Sequence, residues 1–553
     1  MTNPTRIYTA RKIITMHPEQ PFATAVAVRD GRILAVGELE DLVFHIENSP
    51  FTPYSVDTIF KNKTLMPGLV DAHTHLEIQA LIYSGHFVAQ IPWPKPEGGF
   101  YPIYPRKQDV LDRLKALDRE LPPGELLYGA AYDENKTGEF LHVKDLDKIS
   151  TQRPILISNL VFHRFWANTY LLQKAGIGPD NIPPGVETGT DGQPNGTLLE
   201  AKGLFPVLSV IPDLVNITED KINRILPLFT AAGNTTVCEA TLGAFGLPAS
   251  VDLFQRLFSR PNVKLRVIGL PFVSMMFQML GSMEAVLAQI EECRPEPIDK
   301  FRLGAAKLYS DGSIISRTSH IGWPGYWDGS PEGHWQCEPP LLKEMLIQCH
   351  TAGFSTITHA NSRAGVQAML DGVAEAQTRC YRPDMRHRVD HAYNMTTAQL
   401  RKAKNLGVAV QFFTPQIYYY GDAHLKLQGP DRAHQMMPTG SARRLGVSWG
   451  FHNDPPGTPQ LPWVGIWSTV QRRTESGTVL GQGQRVSVED ALRAATIEHA
   501  YQLHLDHEVG SIEFGKKADF CVLEENPLEI DPMALKDMPV WGTVFAGEPN
   551  PAG

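Results

Sequence analysis

Eight short β-branched runs, each ending in polar residues and separated by helical stretches, predict an α/β protein built on a parallel (β/α)8, TIM-like barrel. Strand-and-turn patterns at both ends of the chain add a second expectation, a small β-sandwich domain formed by the N- and C-terminal segments. The length agrees, because 553 residues exceed one ordinary domain and can bury a large core. The predicted division is 1–64 for the first part of the sandwich, 65–487 for the barrel with an insertion at about 90–230, and 488–553 for the last barrel helix and the second part of the sandwich.

At the N-terminus, apolar runs at 23–28 and 33–36 flank Asp30-Gly31, the pattern of a β-hairpin. Residues 60–65 read as a further strand. The barrel strands are read at 69–75, 235–241, 264–271, 304–310, 354–359, 388–391, 408–413 and 447–454. A count of eight requires 126–160 to belong to an insertion after the first strand, although 127–131 and 155–160 are themselves strand-like. The Pro-rich stretch 91–105 reads as an ordered loop. Near the C-terminus, 510–515, 518–523 and 540–545 share the style of the first 60 residues and are expected to pair with them.

Composition removes several function classes. Hydrophobic residues make up 42% and charged residues 20%, the balance of an ordinary globular protein. A net charge of -9 leaves no basic footprint for nucleic acid. Cys238, Cys293, Cys337, Cys349, Cys380 and Cys521 are scattered without a CxxC pair, so neither a disulfide framework nor a zinc-thiolate site is expected. No apolar run of signal-peptide or membrane-span length is present, and the expected location is the cytoplasm.

The segment Leu65-Met-Pro-Gly-Leu-Val-Asp-Ala-His-Thr-His75 carries the first chemistry. Residues i and i+2 of a strand face the same side, so His73 and His75 project together into the barrel mouth. Neutral imidazoles are good ligands for zinc and similar divalent metals. Alone the pair means little, since 19 histidines in this chain give roughly 0.6 such pairs by chance. Its company matters more. Lys307 lies on the fourth strand, His359 and His391 end the fifth and sixth, and Asp454 ends the eighth, all at the face where such barrels gather their sites.

This order resembles the amidohydrolase superfamily. Pro67-Gly-Leu-Val-Asp-Ala-His-Thr-His75 is similar to its opening motif, and Gly510-Ser-Ile-Glu-Phe-Gly-Lys-Lys-Ala-Asp-Phe-Cys-Val-Leu523 to its C-terminal β-domain signature. Lys307-Leu-Tyr-Ser-Asp-Gly-Ser313 is similar to the branch called YtcJ-like, or amidohydrolase family 3, which includes N-substituted formamide deformylases. The resemblance implies divalent metal, zinc first, held by His73, His75, Lys307, His359, His391 and Asp454. A two-metal centre implies CO2 on Lys307 as a bridging carbamate, which requires the neutral amine that burial favours. The implied reaction is hydrolysis of a C–N bond in an amide, formamide or carbamate-like small molecule by metal-activated hydroxide, with Asp454 as general base and acid. Asp71, in the same motif, reads as structural.

One departure stands out. The branch follows its fifth-strand histidine with a Gly-Asp pair, whereas this chain has His359-Ala-Asn-Ser-Arg363. His163 falls where relatives place a substrate-facing histidine, and is a second catalytic candidate. Aromatics after three strand ends, among them Trp323, Tyr326, Phe413 and Tyr419, are candidate walls for an apolar or aromatic substrate, or else packing surfaces of a loop or a homodimer. Two alternatives stay open. One is a mononuclear deaminase of a heterocycle, which the lack of His-x-x-Glu at His359 disfavours; the other is a non-catalytic binding protein on the same barrel.

Overall fold

Asp30 and Gly31 both take positive φ, 50° and 74°, and this two-residue turn joins antiparallel strands Phe22–Arg29 and Arg32–Gly37. The computed structural model describes residues 4–552. The hairpin belongs to an eight-stranded sheet that also takes Thr5–Ile14, Tyr54–Asp57 and Thr64–Pro67 from the N-terminal side. From the C-terminal side it takes Phe520–Leu523, Val540–Phe545 and Glu548–Pro551. The two ends meet where Thr64–Pro67 pairs antiparallel with Phe520–Leu523. Hydrogen bonding therefore gives one continuous sheet, where the sequence reading expected a sandwich. Residues 60–63 turn rather than extend, so the strand expected at 60–65 begins at Thr64. Tyr8, Ile13, Val26, Phe520 and Val544 fill one core of this sheet, and the helix Leu39–Glu47 buries Leu42 and Ile46 against Ile7, Ala25 and Ala27.

The barrel region has the expected eight positions, all parallel where they pair. They form two arcs and no continuous ring of backbone bonds among the described residues. One arc runs Leu69–Thr74, Asn234–Leu242, Arg266–Pro271 and Phe301–Leu303. The other runs Ala306–Tyr309, Thr356–Ala360, Arg388–His391, Ala409–Phe412 and Trp449–Phe451. The fourth strand is broken at Gly304-Ala305, where a Cβ on Gly304 would lie 2.6 Å from an Ile268 methyl carbon, so its halves pair with different neighbours. At the opposite seam a side chain replaces the ladder. His499 Nδ1 donates to the Val70 carbonyl and its Nε2 accepts from the Phe451 N–H. Burial pushes the His499 pKa down to about 3, which keeps the neutral ring that can do both.

The insertion between the first two barrel strands is a subdomain. The runs at 127–131 and 155–160 become Leu127–Tyr132 and Ile155–Asn159, which join His86–Phe87, Arg164–Ala167, Val186–Thr188 and Pro194–Leu199 in a six-stranded sheet. Its helix Glu200–Leu208 packs over the barrel mouth, and the stretch 91–105 is a loop, as expected. Among the described residues no single helix is long and apolar enough to cross a membrane.

Candidate metal centre

His73 ends the first barrel strand and His75 precedes the helix Leu76–Ile82. Their i, i+2 spacing brings the two Nε2 atoms to 3.3 Å. Asp454, three residues beyond the eighth strand and at φ 50°, places Oδ1 3.1 Å from His73 Nε2 and 3.0 Å from His75 Nε2. Its Oδ2 lies 3.8 Å from His391 Nδ1. The His391 and His359 ring centroids are 4.3 Å apart. Residues from strands one, five, six and eight thus meet in one buried cluster. Lys307, from strand four, is fully buried beside it and donates to Asp390 Oδ2 at 3.3 Å.

The imidazoles are held from behind by groups that the sequence reading missed. His73 Nδ1 donates to Asp390 Oδ2 at 2.5 Å, and the Arg388 guanidinium grips the same carboxylate through Nε at 2.7 Å and Nη2 at 3.2 Å. His75 Nδ1 donates to Thr241 Oγ1 at 2.8 Å, and that hydroxyl donates on to Glu239 Oε1 at 3.3 Å. His452 Nε2 is 3.1 Å from His391 Nδ1, while its ring stacks on His73 at 4.6 Å. The Asp390 and Thr241 contacts hold the Nδ1 atoms of His73 and His75, as outer partners do around metal ligands, whereas His452 itself lies within ligand spacing of His73 and His391. Asp71 accepts from the His73 N–H and from Asn453 and Gln460, a purely structural set of partners. His452 and Asp390 carried a usable signal, because each stands within two residues of a candidate ligand on a barrel strand. Thr241 and Glu239 carried none before the fold was known.

Burial, reinforced by the neighbouring cations and imidazoles, pushes the His359, His391 and His452 pKa values well below the usual histidine range, and takes His75 to about 4. Burial opposes ionisation of Asp454, yet the facing His73, His75 and His391 hold its pKa well below the usual carboxylate range. Burial also lowers Lys307, against the pull of Asp390. Buried imidazoles with one carboxylate form a donor set that suits a borderline divalent cation such as zinc. His359 Nδ1 and His391 Nε2 are buried without a hydrogen-bond partner. An unmet buried polar atom costs about 1–3 kcal/mol, and coordination to a cation removes that cost. His73, His75 and Asp454 lie close enough together to hold one metal, as do His73, His391 and His452.

A cavity of about 160 Å³ opens over this cluster. Its floor includes His75, His359 and Asp454, and its far wall carries Phe162, Phe205, Leu208, Phe245 and Met275. His163 and Glu200 stand between the two ends, bonded through His163 Nδ1 and Glu200 Oε2 at 2.8 Å. The Glu200 carboxylate outweighs the effect of burial and raises the His163 pKa. No lysine or arginine lines the cavity. The aromatics singled out from the sequence lie elsewhere. Trp323 is 95% exposed. Tyr326 is buried and donates to the Ser319 carbonyl. Phe413 packs behind the cluster on His391 and His452, and Tyr419 packs on Tyr418 in the helix Pro415–Gln428. Strand-end proximity placed them near the mouth in sequence, but the insertion supplies much of the apolar wall.

Known proteins share this architecture. Residues 60–550 match the sequence profile of the amidohydrolase family. The chain is 24% identical to an N-substituted formamide deformylase of Arthrobacter pascens, with 96% of each chain covered. It is 23% identical to the putative amidohydrolase YtcJ of Bacillus subtilis, with 97% of each covered. Its fold is similar to that of an uncharacterised metal-dependent hydrolase from Pyrococcus horikoshii, with a TM-score of 0.72, 20% identity, and 96% and 99% of the two chains covered. With its profile match spanning nearly the whole length and its imidazole-carboxylate cluster at the barrel mouth, the chain belongs to the amidohydrolase family.

Proposed function

We propose that the protein hydrolyses the C–N bond of a neutral N-substituted amide or formamide whose substituent is apolar or aromatic. The observation that carries this reading is the pairing, in one cavity, of the His73–His75–Asp454 cluster with an apolar far wall that carries no lysine or arginine among the described residues. The deformylase activity named for the Arthrobacter relative falls in the same substrate class.

On this reading His73, His75 and Asp454 hold one divalent metal, zinc by donor type, and His359 and His391 hold a second. Lys307 would be the carbamate-forming lysine, its burial favouring the neutral amine that takes up CO2. The metal supplies Lewis acidity and makes water a competent nucleophile near neutral pH. Asp454, kept ionised by its imidazole neighbours, takes the proton of the attacking water and returns a proton to the leaving nitrogen. His163 faces the substrate carbonyl from the insertion. The wall of Phe205, Leu208 and Met275 seats the apolar substituent and excludes bulk water. The chain divides at about 64/65 and 487/488 into a first β-domain segment, the barrel, and a last segment holding the final barrel helix and the rest of the β-domain, and it works in the cytoplasm.

The test is metal analysis of the purified protein together with a panel of N-aryl, N-alkyl and carboxylate-bearing formamides and acetamides. Two equivalents of metal and turnover confined to neutral apolar members are expected. A preference for small charged substrates would remove the reading.

A further inference from the structure

One polar pair in the cavity, His163 and Glu200, is supplied by the insertion. Val161, Phe162 and His163 form the turn between strands Ile155–Asn159 and Arg164–Ala167. Asn159 Oδ1 pins that turn by accepting from the His163 and Arg164 N–H groups, each at 3.1 Å. Glu200 begins the helix Glu200–Leu208 at φ 55°. An L residue other than glycine holds that conformation only under constraint, and such positions gather at functional sites. The constraint is visible here as two bonds to one residue. The Glu200 N–H donates to the His163 carbonyl at 3.0 Å, and His163 Nδ1 donates to Glu200 Oε2 at 2.8 Å.

This double latch decides which atom of His163 is free. Nδ1 is spent on the carboxylate, so Nε2 is the polar atom left to the cavity; it bonds to no side chain among the described residues. The His163 ring centre stands 6.0 Å from that of His359, over the cluster floor. Both partners of the latch are 14% exposed, so the pair is shielded without being sealed. The latch therefore fixes both which ring nitrogen meets a substrate and the direction in which it points.

We propose that Glu200 is a positioning residue of the hydrolytic site, holding His163 with Nε2 directed at the substrate from the side opposite the barrel donors. The inference rests on the amide-hydrolase reading above and adds to it the group that makes His163 effective. It also gives the insertion a chemical task besides walling the cavity.

The test is a double-mutant cycle of Glu200→Gln and His163→Ala on the metal-loaded protein, run with the neutral formamides that the wild type turns over. E200Q keeps the bulk and a hydrogen-bond acceptor but removes the charge. We expect kcat to fall about 10- to 100-fold with KM within about threefold, and with metal content and thermal midpoint unchanged. In the H163A background E200Q should cost less than about twofold more, because a residue acting through His163 has nothing left to position. Independent, multiplicative losses would overturn the proposal, as would kcat within twofold of wild type in E200Q, or a loss that tracks departed metal or a lowered midpoint. If E200Q fails to fold, Glu200→Asp, which keeps the charge but shortens the reach, enters the same cycle with the same criterion. A wild type inactive on the whole panel removes the amide-hydrolase reading and this inference together; an active wild type with additive variants removes only the inference.

Discussion

The floor and the roof of the cavity are built by different rules. The floor is set by barrel strands. His73, His359 and His391 stand at strand ends, and His75 and Asp454 just beyond them, so backbone register fixes where they point. The roof is set by an insertion, through a turn at His163 and the first turn of the helix at Glu200. Burial pushes the pKa values of His359 and His391 in the floor well below the usual histidine range, whereas Glu200 raises that of His163 in the roof. In such an arrangement the barrel can fix the chemistry while the insertion varies what is admitted.

Acid should separate the two regions most strongly. His387, His424 and His499 belong to the barrel scaffold, and burial takes each to about 3. Their unfolded values lie near 6.5, so between those limits the unfolded chain binds more protons. Stability is then full above pH 6.5 and declines as pH falls towards 3, by up to roughly 4 kcal/mol per pH unit for the three together. Urea unfolding from pH 8 to pH 4, with hydrogen exchange resolved by segment, should show the barrel loosening first. An insertion that opens before the barrel would break the comparison. Next in size is the floor chemistry. Asp454→Asn should lower kcat/KM about 10³-fold, with the fold kept by circular dichroism. Thr241→Val removes the hydroxyl behind His75 and should weaken metal binding about 10-fold, measured by competition with a chelator. Smallest is the roof. Phe205→Ala, at a residue already 37% exposed, should raise KM for apolar formamides about fivefold with kcat nearly unchanged.

The same division explains what could be read from the sequence. The eight strand positions, and the nearness of His73, His75, His359, His391 and Asp454 to one another, were legible because strand periodicity and strand-end position are local properties. The broken fourth strand and the His499 seam were not. They depend on a close approach at Gly304 and on a helix more than 40 residues past the last barrel strand. That the terminal strands bond into one eight-stranded sheet was not legible, because alternation gives the faces of a strand and not its neighbours. The cavity walls were misplaced for a related reason. Trp323 and Tyr419 follow barrel strands in sequence, but Phe162, Leu204 and Phe205 reach the site from a subdomain whose docking no local pattern encodes.

The central claim is a metal centre on the cavity floor, and anomalous scattering at the zinc edge from crystals of the zinc-loaded protein tests it most directly. The account predicts two peaks about 3.5–4 Å apart, one among His73, His75 and Asp454 and the other at His359 and His391, with density for a carbamate on Lys307 between them. Peaks at any other place, or no ordered peak in this cluster from fully loaded protein, would contradict it.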